Sequence, residues 1–146
     1  MTQLKIGLLL DIGPVGPGNM LLFELADNTK TIIHDFVRYA SRQLKIETPP
    51  RIRIIRDAGY SKDNHTFGHF QPEGGIVVQI QNRQIIDILR TIAHEMVHHR
   101  QHEQDSLDAD SGVTGSKHEN QANSIAGILM RNYTKMHPEL FGKAAE

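Results

Sequence analysis

The sequence predicts an α+β fold, and three observations predict it. Apolar residues recur at helical spacing over 29–45, 83–103 and 117–135. Three short runs rich in β-branched and aromatic residues lie between the first and second of these segments. One helix and a three-stranded sheet thus precede two long helices, with a chain length suited to one domain over 1–146.

Residues 4–12 (LKIGLLLDI) read as a strand or buried apolar segment, followed by the turn-forming GPVGPGN. MLLFEL (20–25) reads as a second strand pairing back on the first, and 1–28 form an N-terminal extension with no assignable role. In 29–45 the apolar face is Ile32, Ile33, Phe36, Val37, Ala40 and Leu44, and Thr48-Pro49-Pro50 breaks the helix. RIRIIRD (51–57) alternates charged and apolar residues as a half-buried strand does. TFGHF (66–70) and GIVVQI (75–80) are the next two strands, joined by a hairpin connection at 71–75.

Asn82 is placed to cap the helix over 83–103, whose core face is Ile85, Ile86, Leu89, Ile92, Ala93, Met96 and Val97. The polar segment 105–115 reads as a loop. The last helix, 117–135, carries Ala122, Ile125, Ala126, Leu129 and Tyr133 on one face and ends before His137-Pro138.

Composition narrows the function. With 16 basic and 17 acidic residues the net charge is −1, which offers no footprint for a nucleic-acid backbone. There is no cysteine, so any metal site must use histidine and carboxylate, and the chain suits a reducing cytoplasm. The apolar run Ile6–Leu10 is too short to span a bilayer and no cleavage site follows it, so neither membrane insertion nor secretion is expected. Nothing in the sequence speaks to oligomeric state. Nine histidines are many for 146 residues, and His94, His98, His99, His102 and His118 fall close together.

His94-Glu95-Met96-Val97-His98 is an HExxH pattern on a helix. Four helical residues turn through about 400°, so the two imidazoles lie about 40° apart, one turn above the other, where both can reach one zinc ion. Glu95 is rotated about 100° from His94, where it can bond a water on the metal as general base. The core residues lie on the opposite side of the helix. The plainer alternative is a solvated His/Glu surface.

A zinc site that keeps one position for water needs a third protein ligand. Glu119, in the first turn of the last helix, is the leading candidate, with Asn123 one turn further on to hydrogen-bond a ligand imidazole from outside. His118 is the rival ligand, and Asp105, Asp108 and Asp110 are further alternatives. Ser116-x-x-Glu119 also fits a capping box, which would make Glu119 purely structural. His102 is excluded because three ligands down one helix would spread over more than roughly 10 Å.

HEMVH followed by ENQAN resembles the gluzincin pattern of zinc metallopeptidases, in which the later glutamate is the third ligand. The nearest variants are the ImmA/IrrE-like group and small metallopeptidases of tailed bacteriophages, over roughly 51–136. In the ImmA/IrrE-like motif a second glutamate stands where this chain has Gln121, so only Glu119 and the Ala122-Asn123 pair carry over. Metzincins require a third histidine where Gln104 stands, and SprT-like proteins require a downstream His-Gly segment that is missing.

The resemblance implies a minimal zincin-like domain, a Zn2+ cofactor and a peptide or protein substrate. It also implies that the strand at 66–70 is a sheet edge that pairs with substrate backbone, with Phe67, Gly68 and His69 in contact and Gly68 allowing close approach. Tyr133, His69, His65 and His137 are candidate donors to the oxyanion of a scissile carbonyl. The alternatives to general peptide hydrolysis are a regulatory protease, ImmA/IrrE-like or SprT-like, acting on one protein partner, and a non-catalytic zinc-binding protein.

Overall fold

The helix carrying His94 and His98 is the hub of the fold, packed against the sheet on one side and against the two other helices on the other. The computed structural model describes residues 27–57, 59, 67–71, 75–104 and 117–145. The strands expected at 4–12 and 20–25, the turn residues 72–74, the loop at 105–115, Ser116 and His65 lie outside the described residues, as do Asp105, Asp108 and Asp110.

Helix α1 (Asp27–Leu44) buries Ile33, Phe36, Val37, Ala40 and Leu44, the face that its apolar spacing predicts. It ends in a Schellman motif, with Lys45 in the left-handed region (φ 56°). The Ile46 N–H donates to the Ser41 carbonyl at 2.9 Å and the Lys45 N–H to that of Arg42 at 3.2 Å.

Strands β1 (Ile52–Ile55), β2 (Gly68–Gln71) and β3 (Gly75–Gln79) form a mixed sheet in the order β1-β3-β2. β1 runs parallel to β3 (Ile52 opposite Ile76) and β2 runs antiparallel to it (Gly68 opposite Val78). The central strand is buried almost throughout, and Ile52, Ile54, Ile76 and Val78 join the helical core from one sheet face. Gly75 is required where it stands: its φ is +84°, and a side chain there would run into the Arg51 carbonyl, to which Ile76 also bonds.

Helix α2 (Ile85–Glu103) begins later than the cap signal predicts. Asn82 is not its N-cap; it sits two residues earlier in the left-handed region (φ 61°), and Gln84 occupies the cap position without a side-chain bond. The reason is tertiary. The Ile85 N–H donates to the Lys143 carbonyl at 2.8 Å, so the C-terminal residues supply the acceptor that a capping side chain would.

Helix α3 (Lys117–Met136) buries Ala122, Ala126, Leu129, Met130 and Tyr133, and a 3-10 turn (Pro138–Leu140) seats Leu140 in the core. α3 packs chiefly against α2, and its buried face carries the small residues Ala122 and Ala126. No helix among the described residues is long and apolar enough to cross a membrane.

Candidate metal centre

Both histidines of the HExxH pattern face the first turn of α3. His94 Nε2 lies 2.9 Å from Glu119 Oε2, and His98 Nε2 lies 3.0 Å from Glu119 Oε1, so the carboxylate bridges the two rings. The ring centroids are 4.9 Å apart. Among the described residues, these three form the one group of candidate metal donors, with ligand atoms within 4.8 Å of one another.

The donor set fits zinc. Ligand atoms held about 2.0–2.1 Å from a tetrahedral ion lie roughly 3.3 Å from each other, close to the nitrogen–oxygen separations found. Each imidazole also has an outer partner, as metal-bound histidines generally do. Asn123 hydrogen-bonds the His94 ring, and Gln101 Oε1 lies 2.8 Å from His98 Nδ1. Burial lowers the His94 pKa, outweighing the nearby Glu119 carboxylate, and so favours the neutral, ligating ring.

Glu95 sits beside the cluster without joining it. Burial, aided by the Glu119 carboxylate, pushes its pKa up to about 7, although His98 and the Phe70 amide N–H pull the other way. A carboxyl group poised near neutrality can take up and release a proton at working pH.

β2 is an edge strand, as expected for 66–70, and its backbone reaches this glutamate. The Gln79 N–H donates to the Phe67 carbonyl at 2.9 Å; by antiparallel alternation, the backbone groups of Gly68 and Phe70 face away from β3. Glycine at 68 has a reason within the fold itself. A β-carbon there would collide with the Thr91 methyl and lie 3.6 Å from the Glu95 side chain, so Gly68 lets the strand lie against α2. Phe70 faces the same helix, with its ring centroid 5.8 Å from those of His99 and His102.

His69 alternates to the opposite sheet face, away from α2, so its ring is not placed as an oxyanion donor. Tyr133 is not placed as one either. It lies 14 positions after Glu119 on a single helix, roughly 21 Å along the axis, and its hydroxyl donates to Asp35 Oδ2 at 2.6 Å. His137 lies beyond it, stacked on the Tyr133 ring. The His118 ring is not among the converging donors; its carbonyl accepts from Gln101 instead.

Phe67 is half exposed, with the Arg83 guanidinium 4.2 Å above its ring. A cavity of about 540 Å³ opens there, lined by Phe67, Arg83, Asp87, Arg90 and Thr91 among others. It borders Glu95 by way of Thr91, one turn earlier on α2, but none of the three metal donors lines it. The ligand geometry therefore locates the centre, and the cavity is its neighbour.

The far end of α2 is tied down separately. Glu103 accepts from the Glu47 and Thr48 amides at 3.1 and 2.8 Å, and His99 Nε2–H donates to the Thr48 carbonyl at 2.7 Å. Gln101 and this anchor were invisible to motif reading. The available signal for Gln101 was its position three residues after His98, on the same helical face.

No family model, curated protein or solved structure matches the chain.

Proposed function

We propose that this chain is a zinc-dependent endopeptidase built on a minimal zincin-like domain. The observation that carries the proposal is the convergence of His94 Nε2 and His98 Nε2 on the Glu119 carboxylate, with the half-buried Glu95 alongside. His94, His98 and Glu119 would hold the ion. Zinc so held supplies Lewis acidity, activating water as a nucleophile and polarising a peptide carbonyl.

The chain's own residues account for the rest. Glu95 accepts the proton that the attacking water loses and returns it to the leaving amine; a carboxyl pKa near 7 suits both steps. Asn123 and Gln101 hold the two imidazoles in place. An extended peptide is the substrate class best suited to the sheet edge at β2, whose Phe70 N–H bonds Glu95, because strand addition aligns a main chain without demanding one sequence.

The test is zinc content of the untagged protein together with hydrolysis of a fluorogenic peptide library. The proposal expects one zinc per chain and turnover that a Glu95→Gln variant loses while keeping its metal. A wild-type protein that takes up no zinc at neutral pH sinks the metal centre. Stoichiometric zinc without hydrolysis of any peptide leaves a non-catalytic zinc protein.

A further inference from the structure

Gln101 belongs to neither half of the metal motif, yet it is 2% exposed and touches three groups around the centre. Its amide nitrogen donates to the His118 carbonyl at 3.1 Å and to Gln121 Oε1 at 2.6 Å. A main-chain carbonyl only accepts, so the NH2 end must point there; the reversed amide would set oxygen against oxygen. Gln101 Oε1 is thereby aimed at His98 Nδ1, 2.8 Å away. An amide oxygen also only accepts, so Nδ1 carries a hydrogen and Nε2 is the nitrogen turned to Glu119.

The same contacts grip α3 on either side of Glu119, at positions 118 and 121. From this geometry we infer that Gln101 is a positioning residue that presets the centre for a divalent cation. It selects the ligating nitrogen of His98 and clamps the turn that carries Glu119. The inference rests on the metal-centre reading above, but the His98 tautomer can be measured without metal.

The test uses the full chain. In the metal-free wild type at about pH 8.5, nitrogen-15 NMR is expected to show a hydrogen on His98 Nδ1, whether or not Nε2 shares one with Glu119; a ring protonated on Nε2 alone overturns the inference. Zinc affinity is then measured by competition with a chromophoric chelator. Gln101→Leu should bind zinc about 10–100-fold more weakly and shift His98 towards Nε2–H. Gln101→Glu keeps an acceptor on Nδ1 but loses both donations to α3, so it should keep the hydrogen on Nδ1 and bind zinc with an affinity between those of Gln101→Leu and the wild type.

Wild-type affinity in Gln101→Leu, or an equal loss in Gln101→Glu, overturns the inference. Should Gln101→Leu fail to fold, Gln121→Leu at an exposed position removes one arm of the clamp, and an affinity unchanged by it likewise counts against the inference. If the wild type itself takes up no zinc, the metallopeptidase reading fails, and the tautomer measurement alone decides the role of Gln101.

Discussion

Glu119 meets His98 across 21 residues of sequence, its Oε1 3.0 Å from the imidazole Nε2, and the two helices are packed around that contact. The carboxylate therefore belongs to the cluster formed with the two imidazoles. Its other oxygen reaches His94.

Removing that carboxylate should remove the metal. Glu119→Gln is expected to weaken zinc binding by more than the roughly 100-fold that outer partners cost, whereas His118→Ala should leave it nearly unchanged. Chelator competition on the two purified variants checks this, and matching losses would mean that the third ligand is misassigned. Zinc at about 100 times its dissociation constant should also stabilise the wild type by about 2.7 kcal/mol, a gain absent from Glu119→Gln.

Glu95 should make the metal-free protein less stable as pH rises. Its folded pKa of about 7 lies above the ordinary 4.5, so the folded state holds the proton more tightly and ionisation opposes folding between those values. The penalty is absent below about pH 4 and complete above about pH 8, where it amounts to about 3 kcal/mol at most. Glu95→Gln should accordingly be more stable than wild type at pH 8 and no more stable at pH 4, by urea denaturation with chelator present. A constant difference across that range would contradict a carboxyl whose pKa is raised by the fold.

Gly68 should tolerate no side chain while Thr91 keeps its methyl group. Gly68→Ala is expected to cost about 1–3 kcal/mol from overpacking against α2. Thr91→Ser retains the hydroxyl that bonds Arg83 and Asp87 but removes the colliding methyl, so the double variant should recover most of the loss. Additive losses in the denaturation cycle would place the glycine requirement elsewhere.

Tyr133 should be dispensable for chemistry. Tyr133→Phe removes one hydrogen bond to Asp35, at about 0.5–1.5 kcal/mol, and leaves the aromatic packing against Phe36 in place. Thermal unfolding should register the loss while zinc affinity and peptide turnover stay within about twofold. A fall in turnover without a fall in stability would restore the residue to the site.

The extent of α1, the three strands and α3 could be read from spacing alone to within a residue or two. That succeeds because each of these segments buries one face, and burial writes its period into the sequence. The cap of α2 could not be read that way. Asn82 is a good capping residue, yet the acceptor for Ile85 comes from Lys143, nearly sixty positions away. Tyr133 failed for a related reason: a hydroxyl on a helix says nothing about which end of that helix meets the centre.

From the sequence alone came the pair His94 and His98, one turn apart on one helical face, with Glu95 beside them, because a helix turns local spacing into geometry by itself. Only the tertiary structure decided that Glu119 and not the His118 ring meets those imidazoles, that Gly68 stands where it does for Thr91, and that Gln101 sets the orientation of His98. Those outcomes depend on which faces of separate elements are pressed together. The packing of α2 against α3 settles that, and no periodicity within either helix encodes it.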